Sequence, residues 1–315
     1  MANLLRFSVD RVRDHRRLVW VLYLTTLAPA LLWAGLMSTH LFSGFADRPM
    51  AEDLLGPKAF MTWMEYTASP DTKVGAVLGL LPLFLVASWL LQIYVSAGVT
   101  HVLVGAEQSK DGQRLPSTLW AGMHHFGGRF ARSGLIFLVA VVLLLVLVGS
   151  LGGVGTALAD GSEDETWKLR IFVLQVLLGL ALFIPLDLAY DLSRISAVAH
   201  DGRKMFRGFR KALGTVVRSP RYWLFYLGFA LAAVAVMAIY GWVSGLGSAS
   251  GGVAIFLMFC FQQIVLLVRS RLKLGLWAGE VGMFRESGEP TWCGEGRRPP
   301  VAEPLPQLGD SSFVV

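Results

Sequence analysis

Residues 134–158 read GLIFLVAVVLLLVLVGSLGGVGTAL, an uncharged apolar run longer than the roughly twenty helical residues that cross a ~30 Å hydrocarbon layer. Working outward from it, further apolar runs lie at 18–37, 76–104, 169–190, 222–243 and 253–268. The connectors between them alternate in charge. The N-terminal arm carries Arg6, Arg11, Arg13, Arg16 and Arg17, and the 105–133 connector carries Lys110, Arg114, Arg129 and Arg132. The 199–221 connector carries Arg203, Lys204, Arg207, Arg210, Lys211, Arg218 and Arg221. Between these lie connectors nearly free of Lys and Arg; the one at 159–168 is acidic, with Asp160, Glu163, Asp164 and Glu165.

Lys and Arg are retained on the cytoplasmic side of a membrane, so the alternation orients the chain as well as counting its crossings. The expected fold is all-α: a polytopic membrane helical bundle of six transmembrane helices arranged as three hairpins, with both termini cytoplasmic. Residues 1–284 form this domain. The proline-bearing tail 285–315 is expected to be disordered. The first run follows a charged region too long for a signal peptide and is read as an uncleaved span.

Composition agrees. Hydrophobic residues make up 54% of the 315 residues and charged residues 16%, outside the balance of a soluble domain. The formal charge of +6 does not point to nucleic acid, because the basic residues flank apolar runs instead of tiling one soluble face. Anionic lipid head groups are the expected partners, at roughly 1 kcal/mol per basic residue near the surface. A protein partner at the cytoplasmic face is a further possibility. Cys260 lies in an apolar run and Cys293 in the tail, so both are expected as thiols.

Each odd-numbered span is preceded by a basic stretch with apolar residues at steps of three and four. Leu115, Leu119, Met123, Phe126 and Phe130 precede the third, and Phe206, Phe209, Leu213 and Val216 precede the fifth. Such stretches are read as interfacial amphipathic helices, with their apolar side chains dipped into lipid. Arg203, Lys204, Arg207, Arg210 and Lys211 then form a membrane-interface basic face. On the far side, Phe60, Met61, Trp63, Met64 and Tyr66 could form a short helix lying on the membrane.

The fourth span ends in PLDLAYDLSR, in which Asp187, Asp191 and Arg194 are spaced four and three apart and share one helical face. Ionisable groups near membrane depth face a bundle interior, a partner or water. Two readings stand: a cation, proton or substrate site, or an interhelical ion pair that fixes the bundle. His101 and Arg269, at similar predicted depth, are candidate members of the same polar cluster. Gln92, Gln262 and Gln263 are intramembrane amides, read as helix–helix glue or a pore lining. Pro29, Pro82 and Pro185 fall inside spans and are expected to kink them.

No catalytic set emerges. Residues 241–245 read GWVSG and lack the GxSxG order. There is no HExxH and no GxxxxGK[ST], and no His/Cys cluster suggests a metal, so neither metal nor cofactor is expected. Asp191, Arg194, the basic 203–218 segment and the aromatic start Arg221-Tyr222-Trp223 together resemble bacterial six-span proteins that include the membrane domain accompanying some glycerophosphodiester phosphodiesterases. That resemblance covers about a third of the chain and implies a bacterial inner-membrane protein; the phosphodiesterase activity is not expected to carry over. The functional expectation is a non-enzymatic membrane protein organising lipids or a partner complex. The alternatives are a transporter component using the inner polar cluster, and a lipid-modifying enzyme.

Overall fold

The computed structural model describes residues 2–45, 74–105, 115–159, 166–246 and 252–294. The membrane-lying patch around Phe60–Tyr66, most of the acidic 159–168 connector and the tail beyond 294 lie outside the described residues. Eight helices are described: α1 (Ala2–Asp14), α2 (Arg16–Phe45), α3 (Val74–Gly105), α4 (Leu115–Ala159), α5 (Thr166–Ala199), α6 (Met205–Arg218), α7 (Pro220–Leu246) and α8 (Gly252–Glu286). Among the described residues there is no strand.

Five helices, α2, α3, α4, α5 and α7, are long and apolar enough to cross a membrane. α8 begins with the apolar run 253–268 and continues through Arg269, Arg271 and Lys273. Pro29, Pro82 and Pro185 all lie inside uninterrupted helices, so none of them ends a span.

Burial divides the molecule lengthwise. Only 6–22% of each apolar window is buried, and side chains such as Leu83, Leu143, Leu174 and Leu231 are 64–69% exposed. Lipid is the solvent that accepts such a surface without penalty. The core lies instead where the basic connectors meet: along 93–103 of α3, 122–133 of α4, 184–198 of α5 and 274–284 of α8. Val99, Leu103, Phe130, Leu188, Leu192, Leu274 and Phe284 are among its fully buried members. The result is a tightly built base carrying apolar stems whose outer faces are left exposed.

The hairpin partners touch in the expected pairs, α2 with α3, α4 with α5 and α7 with α8, yet the most extensive contact is between α3 and α4. Glycine makes it possible. A Cβ on Gly98 would lie 2.6 Å from the Leu119 carbonyl oxygen, and one on Gly122 would lie 2.6 Å from His101. Two backbones meet there with no room for a side chain.

Three expectations are corrected. The 115–130 stretch is no separate interfacial helix: it is continuous with the third span in the 45-residue α4. Its apolar face covers α3, which relieves the exposure that a lipid surface was expected to relieve. The second correction concerns α6, which is a separate helix but turns its apolar face inward. Met205, Gly208, Phe209, Ala212 and Val216 are buried against α5 and its neighbours, while Phe206 is left exposed. Trp223 Nε1 donates to the Val216 carbonyl at 3.0 Å and closes the end of α6, and Pro220 opens α7 where its missing N–H costs nothing.

The third correction is the tail boundary. α8 runs to Glu286, and the chain then folds back so that Trp292 and Cys293 are buried against α5. Trp292 N–H donates to Ser196 Oγ (3.2 Å), Ser196 Oγ donates to the Pro290 carbonyl (2.9 Å), and Lys204 N–H donates to the Cys293 carbonyl (3.2 Å). These bonds strap residues 290–293 across the start of α6.

Candidate functional site

The four-and-three spacing on α5 does place its charged residues on one face, and that face points into the base. Arg194 donates through Nη1 to Asp191 Oδ1 at 2.9 Å and through Nη2 to Ser96 Oγ on α3. Trp277 of α8 donates from Nε1 to Asp191 Oδ2 at 3.0 Å. The guanidinium lies over the Phe130 ring of α4 at 4.2 Å and the Tyr190 ring at 4.7 Å. Asp191 and Arg194 are 8% and 4% exposed, so one ion pair ties α3, α4, α5 and α8 together out of reach of solvent. The cavity beside it, bordered by Thr100, Asp191, Arg194 and Glu280, measures about 10 Å³, room for one water at most.

Glu280 is completely buried, and neither of its carboxyl oxygens has a hydrogen-bond partner among the described residues. Burial, reinforced by the neighbouring aspartates Asp191 and Asp187, pushes its carboxyl well above the usual carboxylate range. Lys273, one turn before Trp277, rests its ammonium 4.9 Å from the Trp277 ring. Lys273, Trp277 and Glu280 therefore repeat on α8 the four-and-three spacing of Asp187, Asp191 and Arg194 on α5. Sequence reading missed Trp277 and Glu280 because they lie beyond the apolar run; the matching spacing was the available signal.

The other predicted members separate. Asp187 sits one turn from the pair and accepts a 2.7 Å hydrogen bond from the Tyr226 hydroxyl of α7. His101 turns away, its ring 5.5 Å from Phe126 of α4, and does not join the cluster: its position around α3 faces α4. Arg269 makes no ion pair with either aspartate; it lines a groove of about 370 Å³ with Lys273, Tyr226, Gln92, Thr25 and Ser270. The amides serve mostly as glue. Tyr23 donates to Gln263 Oε1 at 2.9 Å, and Gln262 Nε2 donates to the Tyr240 hydroxyl at 2.7 Å. Gln92 instead borders the groove.

Arg203, Lys204, Arg207, Arg210 and Lys211 are all exposed on or beside α6, opposite its buried face. Just before them Asp201, at positive φ of 51°, meets His125 Nε2 at 2.9 Å and Arg129 Nη1 at 2.5 Å. Partial burial works to raise the Asp201 carboxyl, but the hydrogen bonds from Arg129 and His125, with their charges, outweigh it and hold it below the usual range. Cys293 is buried with its Sγ donating to the Ser193 carbonyl at 3.3 Å, and burial pushes its thiol up to about 11. It is an inert packing group. Among the described residues no cluster of His, Cys, Asp and Glu could hold a metal.

Chemically, the cluster is a closed joint between helices, and the accessible chemistry lies in basic side chains around the base. No protein-family profile, no curated protein and no solved structure matches this chain.

Proposed function

We propose that this chain is a six-span protein of a bacterial cytoplasmic membrane, its basic base on the cytoplasmic side. It acts as a non-enzymatic module that organises anionic lipids or a partner complex. The enclosed Asp191–Arg194 pair carries this reading: a charge pair covered by Phe130, Tyr190 and Trp277 holds helices together and offers no exposed charge of its own to a substrate. The apolar run 253–268 supplies the sixth span, and the exposed basic face of α6 supplies the charge that favours an inner-leaflet surface.

A transporter is the second reading, favoured by one observation. Arg269, Lys273, Tyr226, Gln92 and Thr25 converge on the 370 Å³ groove beside the pair. Proteoliposomes separate the two. The module reading expects proton, potassium and phosphate fluxes equal to those of empty liposomes. Flux above that background, abolished by Asp187→Asn or Lys273→Gln in protein of unchanged Tm, would overturn it.

A further inference from the structure

A second slot, of about 600 Å³, opens between α1, α2, α7 and α8. That volume is within the range of about 300–1,000 Å³ typical of small-ligand sites. Its rim carries Arg13 from the end of α1, Arg16 from the first turn of α2 and Arg271 from α8. All three are exposed, and none has an ion-pair partner among the described residues. The acidic residues nearest in sequence, Asp10 and Asp14, do not line the slot, and Arg269 and Lys273 face the neighbouring groove.

Below the rim the walls become apolar. Val19 and Trp20 of α2, Val268 and Leu267 of α8 and Phe229 of α7 continue the slot along the stems. Gly275 keeps its floor open: a Cβ there would stand 3.0 Å from the Phe229 ring. Arg16 begins the apolar stretch of α2 and Arg271 follows that of α8, so the cations sit at the boundary where head groups meet acyl chains. Trp20, 54% exposed, has the amphipathic ring suited to that depth.

From this juxtaposition we infer that the slot between α1, α2 and α8 binds one anionic phospholipid. Its phosphate is held by Arg13, Arg16 and Arg271, and an acyl chain lies against Val19, Trp20 and Val268. Guanidinium forks match phosphate oxygens, and three of them at one rim select negative charge. A free anion would use the rim and leave the apolar walls bare; a neutral lipid would use the walls and leave the three cations unmatched. The inference rests on the membrane-module reading and gives its lipid an address.

The test uses the full chain in detergent, with native mass spectrometry counting bound lipid. The probes are phosphatidylglycerol and phosphatidylcholine of identical acyl chains. Wild type should retain one phosphatidylglycerol in preference to phosphatidylcholine. At about fivefold per arginine, R13Q/R16Q/R271Q should weaken that binding by on the order of a hundredfold. Val9→Trp, on an exposed α1 position bordering the slot, should block it while keeping every arginine. Phosphatidylglycerol bound equally by the triple rim variant, equal retention of phosphatidylcholine, full displacement by inorganic phosphate, or normal binding by Val9→Trp would each overturn the inference. Any of these results with flux-silent liposomes removes the slot and leaves the module reading standing, whereas flux removes the module reading whatever the slot binds.

Discussion

Arg194→Met tests whether the buried pair is a joint. The substitution keeps length and apolar stem but deletes the 2.9 Å contact to Asp191, the hydrogen bond to Ser96 and the stacking on Phe130 and Tyr190. Among the described residues Asp191 is then left with Trp277 as its one remaining side-chain donor, beside Glu280, which has no hydrogen-bond partner among them. Stranding a buried charge in this way costs about 3–5 kcal/mol. At roughly 2–4 °C per kcal/mol, Tm should fall by about 6–20 °C. Asp191→Leu strands the guanidinium instead and should also lower Tm. The double variant removes both charges, so its loss should undershoot the sum of the singles by about 1–3 kcal/mol. Tryptophan-fluorescence melting of the purified chain in one detergent reads all three. An Arg194→Met Tm within about 2 °C of wild type, or strictly additive losses, would refute the joint.

Two further outcomes follow from the base. Gly98→Ala drives a methyl to 2.6 Å from the Leu119 carbonyl oxygen and should cost about 1–3 kcal/mol, whereas Gly128→Ala, on the facing helix α4 with nothing within 4 Å, should be neutral or gain up to about 1 kcal/mol; equal melting of the two variants would contradict the close α3–α4 approach. Cys293 gives a pH signature. Its folded thiol titrates at about 11, above the ordinary thiol value, so the unfolded chain releases its proton first and the stability it contributes is intact below about pH 8.5–9 and lost as pH rises toward 11, by about 2–3 kcal/mol. Cys293→Ser in a Cys260→Ala background should flatten that part of the Tm–pH curve, and parallel curves would show that the thiol is not buried.

The stems were legible because an uncharged run such as 134–158 has one physical solution. The base was less so. Periodicity reveals that a face is apolar but not what covers it, and for 115–130 and for α6 protein covers what lipid was expected to cover. The face itself shifted: Phe206 fits the three-and-four spacing yet points outward, because α6 docks through Met205 and through Gly208 and Ala212, two small residues with weak hydropathic signal. At the polar cluster, Asp191 and Arg194 were readable from spacing within one helix. His101 was assigned by depth alone, which says nothing of azimuth, and the turn of α3 carries it toward α4. The 290–293 strap was hidden by its prolines, which suggest disorder in sequence while here Pro290 offers a carbonyl to Ser196.

A molecule cohesive at one end and dependent on its solvent at the other divides its mutational tolerance in the same way. Exchanging one aliphatic residue for another at Leu83, Leu143 or Leu231 alters a face that only hydrocarbon touches, so nearly any apolar choice serves. The same exchange at Leu103, Leu188 or Leu274 opens or overfills a jigsaw position. Substitutions should therefore accumulate freely along the stems while the base resists them, and a bilayer of altered thickness can retilt the stems and leave the joint beneath them undisturbed.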